Sequence, residues 1–537
     1  MTVRGFNSWI VLGVLSGAAF GASNRQLPLI DAVEKGDKTA VQALLKQKTT
    51  DVNARRPDGS TALHWAAHRG DAAVVDLLLG AGADVKVVNH YGIAPLSLAA
   101  EAGDASILEK LLQAGADANT SLPGGETALM TAARNGRAGA IKTLLVHGAS
   151  VNARDERGET ALMWAAGRNN AAAIRILVEF GGNLTIRTNR SEPDVVRDGY
   201  SGAFLSPAPT SFSPLLFAVR AGAMDAVKAL LEAGANVNDV LSDGQSALVL
   251  AVSNAHWELA GVLLDAGADP NLAGAGWNAL HQAVRQRRPN IGLPPAPSPT
   301  GKVDSIEIIK KMIAHGADVN ARMTRNGIKD GQRNRLNRLG ATPFFLAAKG
   351  TDVEAMRVLA AAGANALTPN ADTNTPLMVA AGIKIWVPGE DGGSLLSQED
   401  EVLEAVKLCV ELGNDVNAVN LDGETALHGA AYRGTNAVVQ YLVDKGAKLD
   451  AKDKRGWTPL VIANGINYTD FYKQQAATAE LLRQLMKVRG LSTEGQVADG
   501  KECLDCFNLR ANDTLDYMER VKKMEAEFDS NSTGLQR

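Results

Sequence analysis

The chain has 537 residues, 45% of them apolar and 5% aromatic, and its 55 basic and 59 acidic side chains leave a formal charge of −4. That balance excludes a global attraction to nucleic acid or to an anionic membrane surface. The length suffices for a large core, and the scarcity of aromatic residues suits one built from Ala, Leu and Val.

The N-terminus is a separate element. Met1 to Arg4 carries one positive charge, Trp9 to Phe20 is apolar, and the small residues Gly21-Ala22-Ser23 precede the polar Asn24-Arg25-Gln26. This order predicts a secretory signal peptide over residues 1–23, too short to span a bilayer as a helix. The rival readings are an uncleaved anchor and an ordinary apolar N-terminus. With a cleaved leader the protein is expected to be secreted or periplasmic, with no membrane span in the mature chain.

Beyond the leader the sequence repeats. Thr61-Ala62-Leu63-His64-Trp65-Ala66-Ala67 returns, with variation, about every thirty-three residues, beginning at Ala94, Thr127, Thr160, Ser213, Ser246, Asn278, Thr342, Thr375, Thr425 and Thr458. A fixed period of this size predicts a solenoid whose units stack on their neighbours. Ten of the eleven units start with Thr, Ser or Asn. Each is a helix N-cap, whose side-chain oxygen accepts from the free amides of the first turn. Pro95, Pro214, Pro343, Pro376 and Pro459 follow at the first helical position, where a missing N–H costs nothing. Small pairs such as Ala66-Ala67 and Ala132-Ala133 let helices approach. A second helix, apolar along one stripe as in Val74 to Leu79, ends at Gly82 and its counterparts in later units. A turn such as Asp58-Gly59 or Asp422-Gly423 then projects as a finger before the next cap.

With Gly158-Glu159-Thr160-Ala161-Leu162-Met163-Trp164-Ala165-Ala166 and Gly423-Glu424-Thr425-Ala426-Leu427-His428-Gly429-Ala430-Ala431, the chain resembles the ankyrin-repeat family. The resemblance implies an all-α solenoid of about twelve helix-turn-helix units with β-turn or hairpin fingers, occupying residues 24–490 and opening on a degenerate unit at Leu29–Ala54. It implies that His64, His281 and His428 tie adjacent units together through backbone hydrogen bonds. It also implies a concave face, made of fingers and inner helices, on which a partner binds.

Four insertions break the period. Those at 183–212 and 322–341 lengthen fingers; those at 286–303 and 383–400 lie in the turn joining the two helices of one unit. Long loops of this kind are either functional or disordered.

Past the repeats, residues 491–537 form a C-terminal extension expected to hold a short helix and the pair Cys503-Leu504-Asp505-Cys506. No second pair of ligands accompanies it, so zinc is not indicated, and Phe507 stands where haem attachment needs His. A local disulfide or paired structural thiols, a redox role, and no role at all stay open. Cys409, between Leu408 and Val410, reads as a core residue. Neither a metal-binding His cluster nor a nucleophile or phosphate-loop motif is present, so neither cofactor nor enzymatic activity is expected.

One pattern remains. Two positions after each Ala-Ala pair hold Arg69, Arg134, Arg168, Arg220, Arg285, Lys349 and Arg433, and the second long finger adds Arg325, Lys329, Arg333 and Arg335 against Asp330. Either these are ordinary helix residues, or they form an anion-selective groove. The expected function is therefore a non-catalytic scaffold binding a protein or peptide partner, an acidic one if the groove is real. The alternatives are a binder of an anionic polymer and an accessory subunit of a secreted redox or catabolic system. The expected site lies between the long fingers: Arg220, Arg285 and Lys349 along the floor, with Tyr200, Phe204, Phe212 and Trp277 and the finger's Arg325, Arg333 and Arg335 around it.

Overall fold

In the computed structural model, the described residues are 27–47, 49–189, 196–197, 204–205, 211–288, 299–325, 336–383, 399–468, 471–497, 523 and 526. The expected leader and the Cys503–Cys506 pair lie outside them.

Twelve helix pairs are found among the described residues, in two units. In the unit up to Glu156 the first helices of the pairs are Pro28–Lys35, Ala62–Arg69, Pro95–Ala102 and Ala128–Arg134, followed by Lys38–Leu45, Ala72–Gly80, Ala105–Gln113 and Ala138–Val146. The unit from Arg157 holds eight pairs, from Ala161–Gly167 with Ala171–Glu179 to Pro459–Asn464 with Ala476–Val488. Within each unit, first helices pack on first helices and second on second. The Ala pairs sit at these contacts: Ala66, Ala67, Ala132, Ala133, Ala165 and Ala166 are fully buried. At one contact even Ala is too large, since a Cβ on Gly429 would lie 2.7 Å from the backbone nitrogen of Ile383.

The expected caps form. Thr127, Thr160, Ser213, Ser246, Asn278, Thr342, Thr375 and Thr458 each accept from the amide three residues on, at 3.1–3.4 Å. Thr61 and Thr425 differ: their hydroxyls face the ring Nδ1 of His64 and His428 at 2.9 Å. The same Nδ1 accepts the backbone N–H of Thr61 or Thr425, so the proton sits on Nε2. Nε2 then donates to the carbonyl of Ile93 or Trp457 in the next finger, 3.0 and 3.1 Å away. His281 makes the equivalent bond to Ala341 at 3.2 Å. Burial lowers the pKa of all three rings, that of His281 to about 4. The helix-ending glycines, Gly82 to Gly446, have φ between 84° and 94°, a region that favours Gly.

A second inter-unit link was not evident in the sequence. Asn53, Asn119, Asn271, Asn320 and Asn417 each donate Nδ2–H to the carbonyl of the next helix-ending Gly. Each also accepts, through Oδ1, from the amide two residues further on. The asparagine is replaced by Lys86, Thr185, Leu367 and Asp450 in four units.

Both finger insertions are closed at their base. Thr188 and Phe212 exchange bonds of 3.0 and 2.9 Å, and beyond them Val196–Arg197 pairs antiparallel with Phe204–Leu205. Met323 and Ala341 close the second at 2.9 Å. The helices Ala279–Arg287 and Ser305–Ala314 are separated in sequence by the first of the other two insertions, and Pro376–Ala381 and Glu399–Glu411 by the second. The last pair contains a further hairpin, Ile466–Tyr468 with Phe471–Lys473, that the repeat pattern did not predict. Residues 491–497 return over the last first helix, where Gln496 accepts from the Thr458 hydroxyl and the Asn464 amide.

Candidate functional site

The fifth residue of each unit, counted from its cap, lies on the first helix. It is buried in nine of the eleven units, from Trp65 (7% exposed) and Leu98 (2%) to Leu346 (8%) and Ile462 (2%). Trp164 and Phe217, on adjacent first helices, are the two that stay half-buried. Each carries an arginine: the Arg157 guanidinium lies 5.9 Å from the Trp164 ring, and that of Arg220 lies 5.0 Å from Phe217. Arg220 also sits 4.4 Å over Phe212, whose ring meets Phe217 edge-on at 6.2 Å. Gly167 makes room for this group, because a Cβ there would come within 3.0 Å of the Phe217 ring. Arg168 is exposed just past Gly167, at the same end of its helix as Arg220 is of its own.

The electrostatics set Arg220 apart. Packing against the rings removes water from its guanidinium and lowers its pKa, and the attraction of Glu159 offsets this only in part. Glu159 itself pairs with Arg157 at 3.0 Å.

The other basic positions are mostly engaged within the fold. Arg69 donates to the Glu34 carbonyl at 2.8 Å, and Arg134 pairs with Glu126 at 3.4 Å. Arg287 pairs with Asp352 and Glu354, and Arg288 with Glu401. Lys349 and Arg433 are only 4% and 3% exposed. Lys349 is therefore no part of an open floor: it ends a first helix whose next residue, Gly350, lies against Arg288. A continuous basic stripe does not exist among the described residues.

Of the remaining expected site residues, Arg285 and Trp277 are half-buried together in a narrow cleft with Gln282, Met323, Arg338 and Leu346. Trp277 Nε1 is buried there without a hydrogen-bond partner. Arg325 is exposed and packs against Gly276. Phe204 belongs to the finger hairpin. Tyr200, Arg333 and Arg335 lie outside the described residues. Sequence reasoning named Arg220 and Phe212 but missed Trp164, Phe217 and Arg157; aromatic residues at the fifth position were the available signal. Cys409 is buried, which raises its thiol pKa and keeps it a core residue. Among the described residues no group of His, Cys, Asp and Glu could hold a metal, and no helix is long and apolar enough to cross a membrane.

The family described as "Ankyrin repeats (3 copies)" matches residues 6–89, 96–188, 215–293 and 395–473, more than half of the chain. The first match begins inside the stretch expected to be a leader. Relatives include Transient receptor potential cation channel subfamily A member 1 of Homo sapiens, 26% identical over 251 residues, which are 45% of this chain and 18% of that protein. Potassium channel AKT1 of Oryza sativa subsp. indica is 34% identical over 88 residues, 16% of this chain and 9% of the channel. Ankyrin repeat domain-containing protein 49 of Bos taurus is 47% identical over 60 residues, 11% of this chain and 25% of that protein. The matches thus span no more than a quarter of the length of these relatives.

Proposed function

Because the chain belongs to the ankyrin-repeat family, we propose that it is a non-catalytic scaffold that binds a partner protein on its first-helix face. The patch of Trp164, Phe217, Phe212 and Arg220 is the contact surface. One observation carries this reading: in a row of positions that is otherwise buried, two adjacent aromatic residues stay partly open and are flanked by arginines. Aromatic and Arg side chains dominate the energetics of protein interfaces, and rings held by packing lose little freedom on binding. Export behind residues 1–23 is part of the proposal and rests on the leader pattern; N-terminal sequencing of the mature protein tests it.

The scaffold reading is tested by affinity capture from the native extract with the full chain, beside a Trp164→Ala/Phe217→Ala variant and a Trp257→Phe control on a second helix. Partners that the double variant loses and the control keeps support it. Identical partner sets for all three proteins contradict it.

A further inference from the structure

We infer that the partner segment recognised by this patch is acidic: a peptide stretch whose carboxylates meet Arg220 and Arg168 and whose apolar side chains pack on Trp164 and Phe217. The inference rests on the reading of the first-helix face as the binding surface and adds the chemistry of what it binds.

Charge complementarity carries it. At several other places in the fold an arginine on or near a first helix has its carboxylate in place: Arg56 has Asp31 and Glu34 at 2.8 and 2.6 Å, and Arg287 has Asp352 and Glu354 at 2.5 and 2.7 Å. Arg187 has Asp239, and Arg288 has Glu401. Arg168 and Arg220 have none among the described residues, and the nearby Glu159 is committed to Arg157. Both stand at the same end of neighbouring helices, so one extended segment can meet the two guanidinium groups in turn.

Arg220 is also prepared for an anion. Two rings hold its guanidinium in one orientation and strip part of its water before any partner arrives. A planar guanidinium held in this way loses little freedom when it meets a carboxylate, and the charge-assisted bonds replace the missing water. The aromatic neighbours favour a peptide over a long polyanion. A polyanion needs a run of cations along its length, whereas here the pair is isolated and the next basic positions are buried or paired.

The test uses the full chain and a fluorescein-labelled peptide of repeating Glu-Leu-Glu-Ala, about twelve residues long, an extended length that crosses more than one repeat. Its partner probe replaces every Glu with Gln. Fluorescence anisotropy should show the Glu peptide binding at least about tenfold more tightly than the Gln peptide, an effect that raised salt diminishes. Arg220→Gln and Arg168→Gln should each weaken the Glu peptide by roughly fivefold or more, the loss expected for an exposed charge pair with its hydrogen bonds. Both should weaken the Gln peptide clearly less than the Glu peptide, since only the Glu peptide brings carboxylates. Arg220→Lys should restore part of the binding, which a purely structural role for Arg220 would not allow. Equal binding of both peptides overturns the acidic specificity while leaving a peptide-binding face in place. Binding of neither peptide overturns the inference, as does a heparin fragment that binds more tightly than the Glu peptide with the same arginine dependence. The scaffold reading is then judged separately by the capture experiment.

Discussion

The guanidinium of Arg220 lies 4.4 Å over the ring of Phe212. The two residues come from different structural elements: Arg220 from a first helix, Phe212 from the segment that closes the inserted finger before it. The insertion thus does more than lengthen a loop. Its closure onto Thr188 presents a second aromatic face to a cation that already meets Phe217 on its own helix.

Phe212→Ala should therefore loosen Arg220, leaving Phe217 alone against it. A cation–π contact of this kind stabilises by about 0.5–2 kcal/mol, so the fold should survive. Partner binding should weaken more than it does for Phe180→Ala, on a second helix's C-cap away from the patch. Isothermal titration with a recovered partner checks this; equal affinities would remove Phe212 from the site.

Leu367 occupies the place of the linking asparagine, faces Gly413 and is 49% exposed, so little packing is lost by changing it. Leu367→Asn should restore a bond to the Gly413 carbonyl and another from the Asp415 amide. At about 0.5–1.5 kcal/mol per hydrogen bond, urea unfolding should shift to higher denaturant. Asn320→Ala, which deletes bonds of 3.1 and 2.7 Å, should shift it the other way.

Ser246 caps its helix through the Val249 amide at 3.2 Å. Ser246→Ala should cost about 0.5–2 kcal/mol. In a repeat array the damage stays with the altered unit and its neighbours. Amide exchange should quicken in Ala247–Ser253 and the helices touching it, and a change spread evenly over the chain would contradict the local account.

His281 is held neutral by burial, its pKa lowered from the ordinary 6.5 to about 4. The unfolded chain then binds a proton that the folded chain does not, so stability falls as pH drops from about 6.5 toward 4. His64 and His428 shift in the same direction and add to the slope. Each pKa unit is worth about 1.4 kcal/mol. His281→Asn should be less stable at pH 7 yet show a shallower decline between pH 6.5 and 5. An unchanged slope would mean that His281 titrates normally in the fold.

The helix pairs were legible because their signals are local. A Thr such as Thr160 before the first turn and a Gly such as Gly82 after the second helix need no knowledge of the rest of the chain. The insertions were legible as departures from a known period. The site was not, because exposure depends on neighbours. Trp65 and Trp164 hold the same position in their units, yet Trp65 is covered by Arg56, itself clamped by Asp31 and Glu34. Trp164 stays partly open. In the same way Arg220 and Lys349 look alike in sequence, and only packing separates the cation on two rings from the one that is buried. The hairpin at Ile466–Lys473 had no counterpart in other units from which it could be read.

The central claim is that partner binding centres on Trp164, Phe217 and Arg220. Amide hydrogen exchange of the full chain, alone and saturated with a captured partner, tests it most directly. The account predicts that protection rises in residues 157–168 and 212–221 while the second helices Ala171–Glu179 and Met224–Glu232 stay as they were. Protection confined to the second helices, or to units remote from these residues, would contradict it.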